Sequence, residues 1–407
     1  MRVLKIVAIV AATGAATGAS VSALGASLTS VGVLDPANPN SVIRALSSDG
    51  SYAAGTSKVA ADLSVPAVWS LSDGLVALPN PSGKSSLAHG VAVGIGSNAG
   101  NIIISGLHEG NTVSRYYKAP LGNLAGGTWA DSATAGGFST SDIRGGTSNV
   151  LRNQIDGDGR WYLAGRKASD SRGVRLRGDP FIGWDTTNMT AESVSGYGVI
   201  VGRNSSGFSP SKASWRSPQG DDGEVPGSGD DFRTDGFGIS PSFGKSTTAS
   251  FDVQWICGQD QSAAGPNMQA FRWNRGDATL TVLGMLPGAT SSVAYTVADN
   301  GVSAGRSHFG NASPTYEMAT VWDTSGTWDT SGTAQSVQAL LTAAGVDTSS
   351  WTNLVRVYAV SDDGTVLAGQ GIWAADGSTR GFVAVIPEPA TLTLLALGAF
   401  ALLRRRS

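Results

Sequence analysis

The sequence predicts an all-β fold assembled from a repeated unit of short strands. Glycine makes up 55 of the 407 residues and charged residues only 14%, a composition that favours short strands joined by tight turns. A pattern that ends in glycine returns about every 50 residues, the period of a four-stranded β-propeller blade. We therefore expect residues 36–385 to form a β-propeller of six or seven four-stranded blades. The closing glycines are Gly55, Gly106, Gly165, Gly202, Gly258, Gly305 and Gly369.

Each clear copy of the unit has an apolar run, a polar turn and a second short run. The turns are Asp49-Gly50, Asn300-Gly301 and Asp363-Gly364. Such pairs tolerate positive φ and are the strongest short hairpin signals. We expect them at equivalent places in their blades, and we interpret the glycines of the repeat as turn residues. The alternative is an irregular β-sandwich or β-helix in which turns repeat by chance.

A tryptophan recurs near the end of most units, shortly after an apolar residue. A large apolar ring at one place in each unit suits a contact between neighbouring blades, so we expect these rings to be buried at equivalent positions. The clearest examples are Trp69, Trp215, Trp273 and Trp322.

One unit carries a further likeness. Residues 270–273, 283–288 and 292–301 read A-F-R-W, L-G-M-L-P-G and a serine-to-glycine segment. This order resembles the HAF-type repeats of exported bacterial proteins. The resemblance implies a repeat-built, exported domain, and it fits best around residues 234–305.

Two other segments interrupt the strand pattern. Residues 334–346 place Leu340, Leu341 and Ala344 at helical spacing and predict a short helix. Residues 216–233 are rich in Gly, Asp, Ser and Pro and predict a long exposed loop.

The N-terminus predicts a secretory signal peptide over residues 1–23. Arg2 and Lys5 precede an apolar run, and small residues around Ala23 suit cleavage, which could equally follow Ala26. The chain has a single cysteine, Cys257, so it has no internal disulfide. We expect this thiol to be a small buried hydrophobic group.

Residues 386–407 have three parts: a Pro-Glu-Pro triplet, an apolar run over 390–403 and a block of arginines. The prolines prevent the triplet from continuing a helix. As a helix the apolar run would span about 21 Å, short of the roughly 30 Å of the bilayer core. The arginines would stay on the cytoplasmic side. The residues that define these parts are Pro387, Glu388, Pro389, Arg404, Arg405 and Arg406.

This tail resembles the PEP-CTERM sorting signal of Gram-negative bacteria that make exopolysaccharide. The resemblance implies that an exosortase, a membrane transpeptidase-like enzyme, cuts near Pro387, Glu388 and Pro389. It also implies a transient inner-membrane intermediate, followed by release or re-attachment of the protein at the cell surface or in the extracellular matrix. An ordinary C-terminal anchor or amphipathic end helix is the alternative.

The sequence contains little that predicts catalysis, and we expect no catalytic or metal-binding residue. The three histidines, His89, His108 and His308, lack the spacing that places two zinc ligands together. The G-x-S-x-G match at residues 301–305 coincides with a repeat hairpin, whereas a nucleophile elbow needs a strand before it and a helix after it.

Acidic groups come closest to a ligand site. Residues 156–159, and Asp221, Asp222 and Glu224 with residues 230–231, resemble pieces of oxygen-rich calcium loops. Neither piece continues into the twelve-residue loop with its closing glutamate. We therefore expect no cofactor and keep Ca²⁺ as the alternative.

Two functions from different classes remain. The formal net charge is −3 and no basic cluster lies outside the termini, so a nucleic-acid partner is not expected. The scarcity of titratable motifs favours a non-enzymatic surface or matrix protein associated with exopolysaccharide. The alternative is a propeller-type glycan hydrolase or lyase, whose paired carboxylates would be recognised by spatial separation rather than by sequence.

Overall fold

The computed structural model describes most of the chain between the two terminal segments. The described residues are 25–108, 113–131, 143–144, 151–153, 161–167, 173–178, 182–185, 189–204, 212–227, 233–243, 254–261, 267–310, 316–323 and 334–386. Residues 26–386 form one compact unit. The 36–385 range suggested by the sequence lies inside this unit.

The described strands form seven consecutive antiparallel sheets, so the chain is a seven-bladed β-propeller, in agreement with the predicted fold class. A first short strand, β1 (Ser27–Ser30), precedes the first blade. Blade 1 comprises β2 (Ser41–Leu46), β3 (Tyr52–Ala60), β4 (Leu63–Ser70) and β5 (Gly74–Ala77). Blade 2 comprises β6 (Leu87–Val93), β7 (Asn101–His108), β8 (Val113–Pro120) and β9 (Thr128–Asp131).

Blades 3 and 4 are built from shorter strands. Blade 3 comprises β10 (Ile143–Arg144), β11 (Leu151–Asn153), β12 (Trp161–Lys167), β13 (Gly173–Gly178) and β14 (Ile182–Asp185). Both β10 and β11 pair with β12. Blade 4 comprises β15 (Ser193–Val194), β16 (Ile200–Arg203), β17 (Ala213–Arg216) and β18 (Asp222–Glu224).

The last three blades repeat the four-stranded plan. Blade 5 comprises β19 (Thr234–Ile239), β20 (Trp255–Gln261), β21 (Met268–Asn274) and β22 (Leu280–Gly284). Blade 6 comprises β23 (Ser291–Val297), β24 (Ser303–His308), β25 (Glu317–Trp322) and β26 (Ala334–Ser336). Blade 7 comprises β27 (Trp351–Val360), β28 (Val366–Trp373) and β29 (Thr379–Val385), with β1 as its fourth strand.

The ring is closed by strand exchange between the two ends of the domain. Strand β1 pairs antiparallel with β29, with Ser27 opposite Val385 and Ser30 opposite Phe382. Strand β2 packs against all three of the chain's last strands. The first strands of successive blades contact one another around the ring, so they form the wall of a central channel.

Apolar packing between blades supplies the core. Each of seven clusters of buried apolar residues joins one blade to the next, with one cluster for every interface of the ring. Cys257 lies fully buried between blades 5 and 6, where burial raises the pKa of its thiol. The prediction that Cys257 acts as a small hydrophobic group is confirmed.

The repeated tryptophans belong to these interfaces. All four are buried, as predicted: their exposed fractions are 7% for Trp69, 7% for Trp215, 5% for Trp273 and 0% for Trp322. In register, Trp69, Trp273 and Trp322 each lie opposite the residue two before the closing glycine of their blade, and they face the preceding blade. Trp215 lies opposite the residue one before its glycine. A one-residue shift turns a side chain to the other face of a sheet, so Trp215 packs against blade 5 and is not equivalent to the other three.

The three hairpin turns occupy the predicted equivalent place, between the first and second strands of blades 1, 6 and 7. Their glycines have φ of 71° at Gly50, 85° at Gly301 and 80° at Gly364, which only glycine adopts without strain. In each turn the side-chain oxygen of the preceding Asp or Asn accepts a backbone N–H two residues on.

Two local predictions need correction. The helix α1 (Val337–Ala343) begins after the N-cap Ser336, because the start of the predicted segment instead forms β26 against β25. The predicted loop over residues 216–233 contains β18, which completes blade 4. A strand this short has no periodicity of its own, and pairing with a neighbour decides it.

Candidate functional site: the central channel

The channel wall is interrupted at one level by a β-bulge in blade after blade. The register of the first strand against the second skips one residue in blades 1, 2, 5 and 6 and three residues in blade 7. A bulge leaves its extra residue outside the ladder and re-aims that side chain. One skipped residue from each of these blades lines the central cavity: Arg44, His89, Phe237, Tyr295 and Tyr358.

The closing glycines explain why the bulge recurs. A Cβ at Gly55, Gly305 or Gly369 would lie 1.9 Å from the carbonyl oxygen of the residue two before the bulge. Only glycine lets the first strand approach the second so closely. Our interpretation of the repeat glycines as turn residues is therefore wrong for the closing set, whose members lie inside the second strand.

Blade 4 places Glu192 at the corresponding position. A Cβ at Gly202 would lie 1.7 Å from the carbonyl oxygen of Thr190, two residues before Glu192. The backbone N–H of Glu192 donates to Val201, and Ser193 pairs with Val201 in the ladder. Glu192 also lines the cavity and is only 4% exposed. The matching position of blade 3 lies outside the described residues.

These six side chains, which we call the bulge ring, surround a cavity of about 520 Å³. Val293, Gln259, Arg306 and Arg356 complete its wall. Small-molecule sites occupy about 300–1,000 Å³, so the cavity is large enough for a ligand. Beyond the ring the channel narrows to a space of about 40 Å³, which the ring members Arg44, His89, Tyr295 and Tyr358 also line. That space holds no more than a few water molecules.

A buried carboxylate holds two of the arginines in place. Glu317 at the start of β25 is 3% exposed and forms ion pairs with both Arg306 and Arg356. The Nη2 of Arg356 donates to Oε1 of Glu317 at 2.9 Å, and its Nη1 donates to the hydroxyl of Tyr358 at 3.2 Å. Burial lowers the pKa of Arg306. Glu317 neutralises only one of the two guanidinium groups.

The third arginine has no carboxylate partner among the described residues. Arg44 lies with its Cζ 5.3 Å from the centre of the Tyr358 ring, and its Nε is buried without a hydrogen bond. The rings of Tyr295 and Tyr358 lie 5.7 Å apart, and Phe237 lies 6.0 Å from Tyr295. The cavity therefore combines a cationic side chain with a continuous row of aromatic rings.

His89 and Glu192 are both deeply buried members of the bulge ring. His89 is 6% exposed, and its Nε2 is buried without a hydrogen-bond partner in the described structure. Burial, and secondarily the charge of Arg44, lower the pKa of His89 to about 3. The imidazole is therefore neutral at physiological pH.

Of the other predicted residues, His308 in blade 6 adjoins the site, with its Nδ1 3.9 Å from Oε1 of Glu317. His108 is in blade 2, and Ser303 of the G-x-S-x-G match lies in β24, followed by strand rather than helix. Asp222 and Glu224 belong to β18 and line an open space of about 270 Å³ at the edge of blade 4. Residues 156–159 and 230–231 lie outside the described residues. Where the structure is described, no three acidic, histidine or cysteine side chains group together in a way that would hold a metal ion.

The predicted sorting residues Pro387, Glu388, Pro389, Arg404, Arg405 and Arg406 also lie outside the described residues. Within the described part, no helix has the length and apolar composition needed to span a bilayer.

Sequence reasoning did not identify the bulge ring. A signal was nevertheless present: about ten residues separate Arg44, Glu192, Tyr295 and Tyr358 from the closing glycines of their blades. Blades 2 and 5 have longer hairpins and hide the spacing of His89 and Phe237.

Comparison with known proteins identifies the tail. Residues 385–407 match the PEP-CTERM protein-sorting motif. The match covers the segment that the sequence predicts as a sorting signal, and it supports an exported protein that an exosortase processes at the membrane. A comparison with curated protein sequences gave no match.

Solved propellers resemble the domain at low sequence identity. The β-propeller domain of the Trilobed protease from Pyrococcus furiosus is 9% identical, with a TM-score of 0.49 over 84% of this chain and 95% of that one. The Dos1 propeller is 9% identical, with a TM-score of 0.43 over 88% and 95%. TolB from Acinetobacter baumannii is 10% identical, with a TM-score of 0.37 over 83% and 80%. The seven-bladed assignment rests on the strand pairing of this chain itself.

Proposed function

We propose that this protein is an exported, non-enzymatic binding protein that presents its propeller to extracellular polysaccharide. The observation that carries the proposal is the bulge ring, in which a polar, aromatic or charged side chain from each of six blades lines one cavity. Aromatic rings beside hydrogen-bonding groups suit sugars, which have apolar faces and hydroxyl edges. The sorting motif at residues 385–407 supports the export of the protein.

The arrangement of carboxylates favours binding over hydrolysis. Glycoside hydrolysis uses two carboxyl groups, one of which donates a proton. Glu317 is held ionised between Arg306 and Arg356, because two adjacent cations favour the charged form of a carboxyl group. Among the described lining residues, Glu192 is then the one carboxylate that remains as a candidate acid or base.

A co-sedimentation assay tests the proposal. The full-length protein and its Tyr358→Ala variant would be mixed with exopolysaccharide purified from the producing cells, with Leu71→Ala as a matched surface control, since Leu71 is 81% exposed and outside the channel. We expect the unmodified protein and the control to bind, and Tyr358→Ala to bind at least tenfold more weakly. Absence of binding by the unmodified protein would contradict the proposal, and steady release of reducing ends would replace it with the hydrolase.

Processing of the tail has its own test. We propose that the exosortase recognises Pro387, Glu388 and Pro389, and that the mature protein lacks residues from about Pro387 onward. The span over residues 390–403 is too short for a comfortable permanent anchor, and the arginines hold the intermediate at the inner membrane. Mass spectrometry of the protein from its native host should find no C-terminal arginine block. A mature form that still ends in Ser407 would show that the tail is a plain anchor.

A further inference from the structure

The charge of the cavity wall is unbalanced within the bulge ring and its neighbours. Arg44, Arg306 and Arg356 face a single lining carboxylate, Glu192, while Glu317 lies behind the wall and pairs with two of the three arginines. His89 adds no charge, since its pKa lies near 3. The described part of the lining is therefore net positive, although the whole chain has a formal net charge of −3.

Arg44 is the group whose interactions are incomplete. Among the described residues it has no carboxylate partner; its guanidinium lies 5.3 Å from the centre of the Tyr358 ring, and its charge acts on His89 of the neighbouring blade. Arg44 is half-buried and, like His89, lines the cavity. A cation that lines a cavity without a carboxylate beside it favours an anionic ligand there.

The shape of the channel restricts how a glycan enters. The cavity of about 520 Å³ accommodates a sugar unit, whereas the space beyond the ring, about 40 Å³, does not. Among the described residues, the space beyond the ring is too small for a sugar unit. We therefore expect a chain end or a side-branch unit, rather than a threaded chain, to reach Arg44 and His89.

We infer that the bulge ring recognises the terminal or branch unit of an acidic glycan, with the sugar carboxylate paired to Arg44 and a neighbouring hydroxyl hydrogen-bonded to His89. The planar guanidinium matches a carboxylate with two parallel hydrogen bonds. Tyr295, Tyr358 and Phe237 supply aromatic surface for the sugar ring. This inference rests on the proposed glycan-binding function and adds the chemical class of the ligand.

Calorimetric titration of the full-length protein tests the charge. Methyl β-D-glucuronide and methyl β-D-glucoside differ only in the carboxylate at C6, and the 6-sulfate of the glucoside tests a different anion. We expect the glucuronide to bind at least tenfold more tightly than the glucoside and the sulfate, the expected scale for a charge-assisted pair. Equal binding of glucuronide and glucoside, or of glucuronide and sulfate, would overturn the carboxylate assignment.

Substitutions of Arg44 test whether this residue causes the preference for the glucuronide. Arg44→Met should abolish the preference for the glucuronide, and Arg44→Lys should retain only part of it, because lysine keeps the charge but loses the planar fork. Arg275→Met is the matched control, since Arg275 is also half-buried and lies 4.5 Å from an aromatic ring, that of Trp215, outside the channel. An unchanged preference in both Arg44 variants would overturn the inference.

A length series tests end recognition. Glucuronic acid oligomers of increasing length should bind with nearly constant molar affinity and with one protein per chain end. Affinity or stoichiometry that rises in proportion to length would show internal binding and would overturn this part. If the native exopolysaccharide binds but the glucuronide is not preferred, the proposed function is supported and only this inference is overturned. If the glucuronide is preferred but the exopolysaccharide does not bind, the proposed function is overturned and the inferred ligand class is supported.

Discussion

Two sets of repeated positions in this propeller differ in how they vary from blade to blade. The set between the blades repeats the same residue types: in blades 1, 5 and 6 a closing glycine lies in the second strand and a buried tryptophan in the third, at the same register. The bulge ring, which lines the cavity, holds six side chains of five kinds. The repeated residues make similar packing contacts between blades, whereas the residues that line the cavity differ in chemistry. The comparison therefore distinguishes residues that stabilise the propeller from residues that line its cavity.

The largest expected effect is on the set between the blades. Trp273→Ala should lower the free energy of unfolding by about 3–5 kcal/mol, because it removes a buried ring between blades 4 and 5 and leaves a cavity. Urea denaturation measures the change, with Leu71→Ala as the exposed control. A loss below about 1 kcal/mol would mean that the tryptophans do not stabilise the interfaces, and the division between the two sets would fail.

The second effect tests the glycines. Gly305→Ala should cost about 2–3 kcal/mol, because its Cβ would overlap the carbonyl oxygen of Val293 and push the first strand away. Gly122→Ala is the control, since a Cβ there meets no atom within 4 Å and the backbone of Gly122 is not left-handed. Equal stability of the two variants would show that the bulge does not depend on glycine.

The third effect, of intermediate size, is the decrease in stability at low pH that His89 causes. Its pKa is about 3 in the folded protein and near 6.5 when unfolded, so below pH 6.5 the unfolded state binds the extra proton and stability falls as the pH decreases. At pH 5 this loss is on the order of 2 kcal/mol. His89→Gln should remove that part of the decline, while the part from His108, whose pKa is lowered to about 4, remains. Identical pH profiles for both proteins would mean that His89 is not held neutral.

The smallest effect on stability is expected at Arg44. Arg44→Met should change the free energy of unfolding by less than about 0.5 kcal/mol, because the side chain is half-buried and makes no ion pair among the described residues. Thermal and urea unfolding measure it beside the ligand titrations. A large loss would place Arg44 among the structural residues and blur the comparison between the two sets.

The sequence predicted the parts of the fold that depend on local chemistry. Asp-Gly and Asn-Gly fix a hairpin by their own φ preference, and a recurring tryptophan signals burial wherever it lies. The side on which Trp215 packs depends on a one-residue register shift, which its neighbours in sequence do not encode. The repeat period and the chain length alone limited the number of blades to six or seven.

The candidate site was not predictable in the same way. A bulge arises between two strands, so Arg44 and Tyr295 look like ordinary alternating strand residues until the register against the second strand is known. Their convergence also depends on ring closure, since Arg44 and Tyr358 are far apart in sequence and meet only where blade 7 adjoins blade 1.

The pairing of β1 with β29 sets the order in which the molecule is completed. Ser27 pairs with Val385, so β1, the first strand to be synthesised, stays unpaired until β29, the last strand, has been synthesised. This long-range contact makes closure a late and slow step of folding. Until then blade 7 lacks its fourth strand and presents an unpaired edge to other chains. The sorting motif begins at this same strand end, at residue 385.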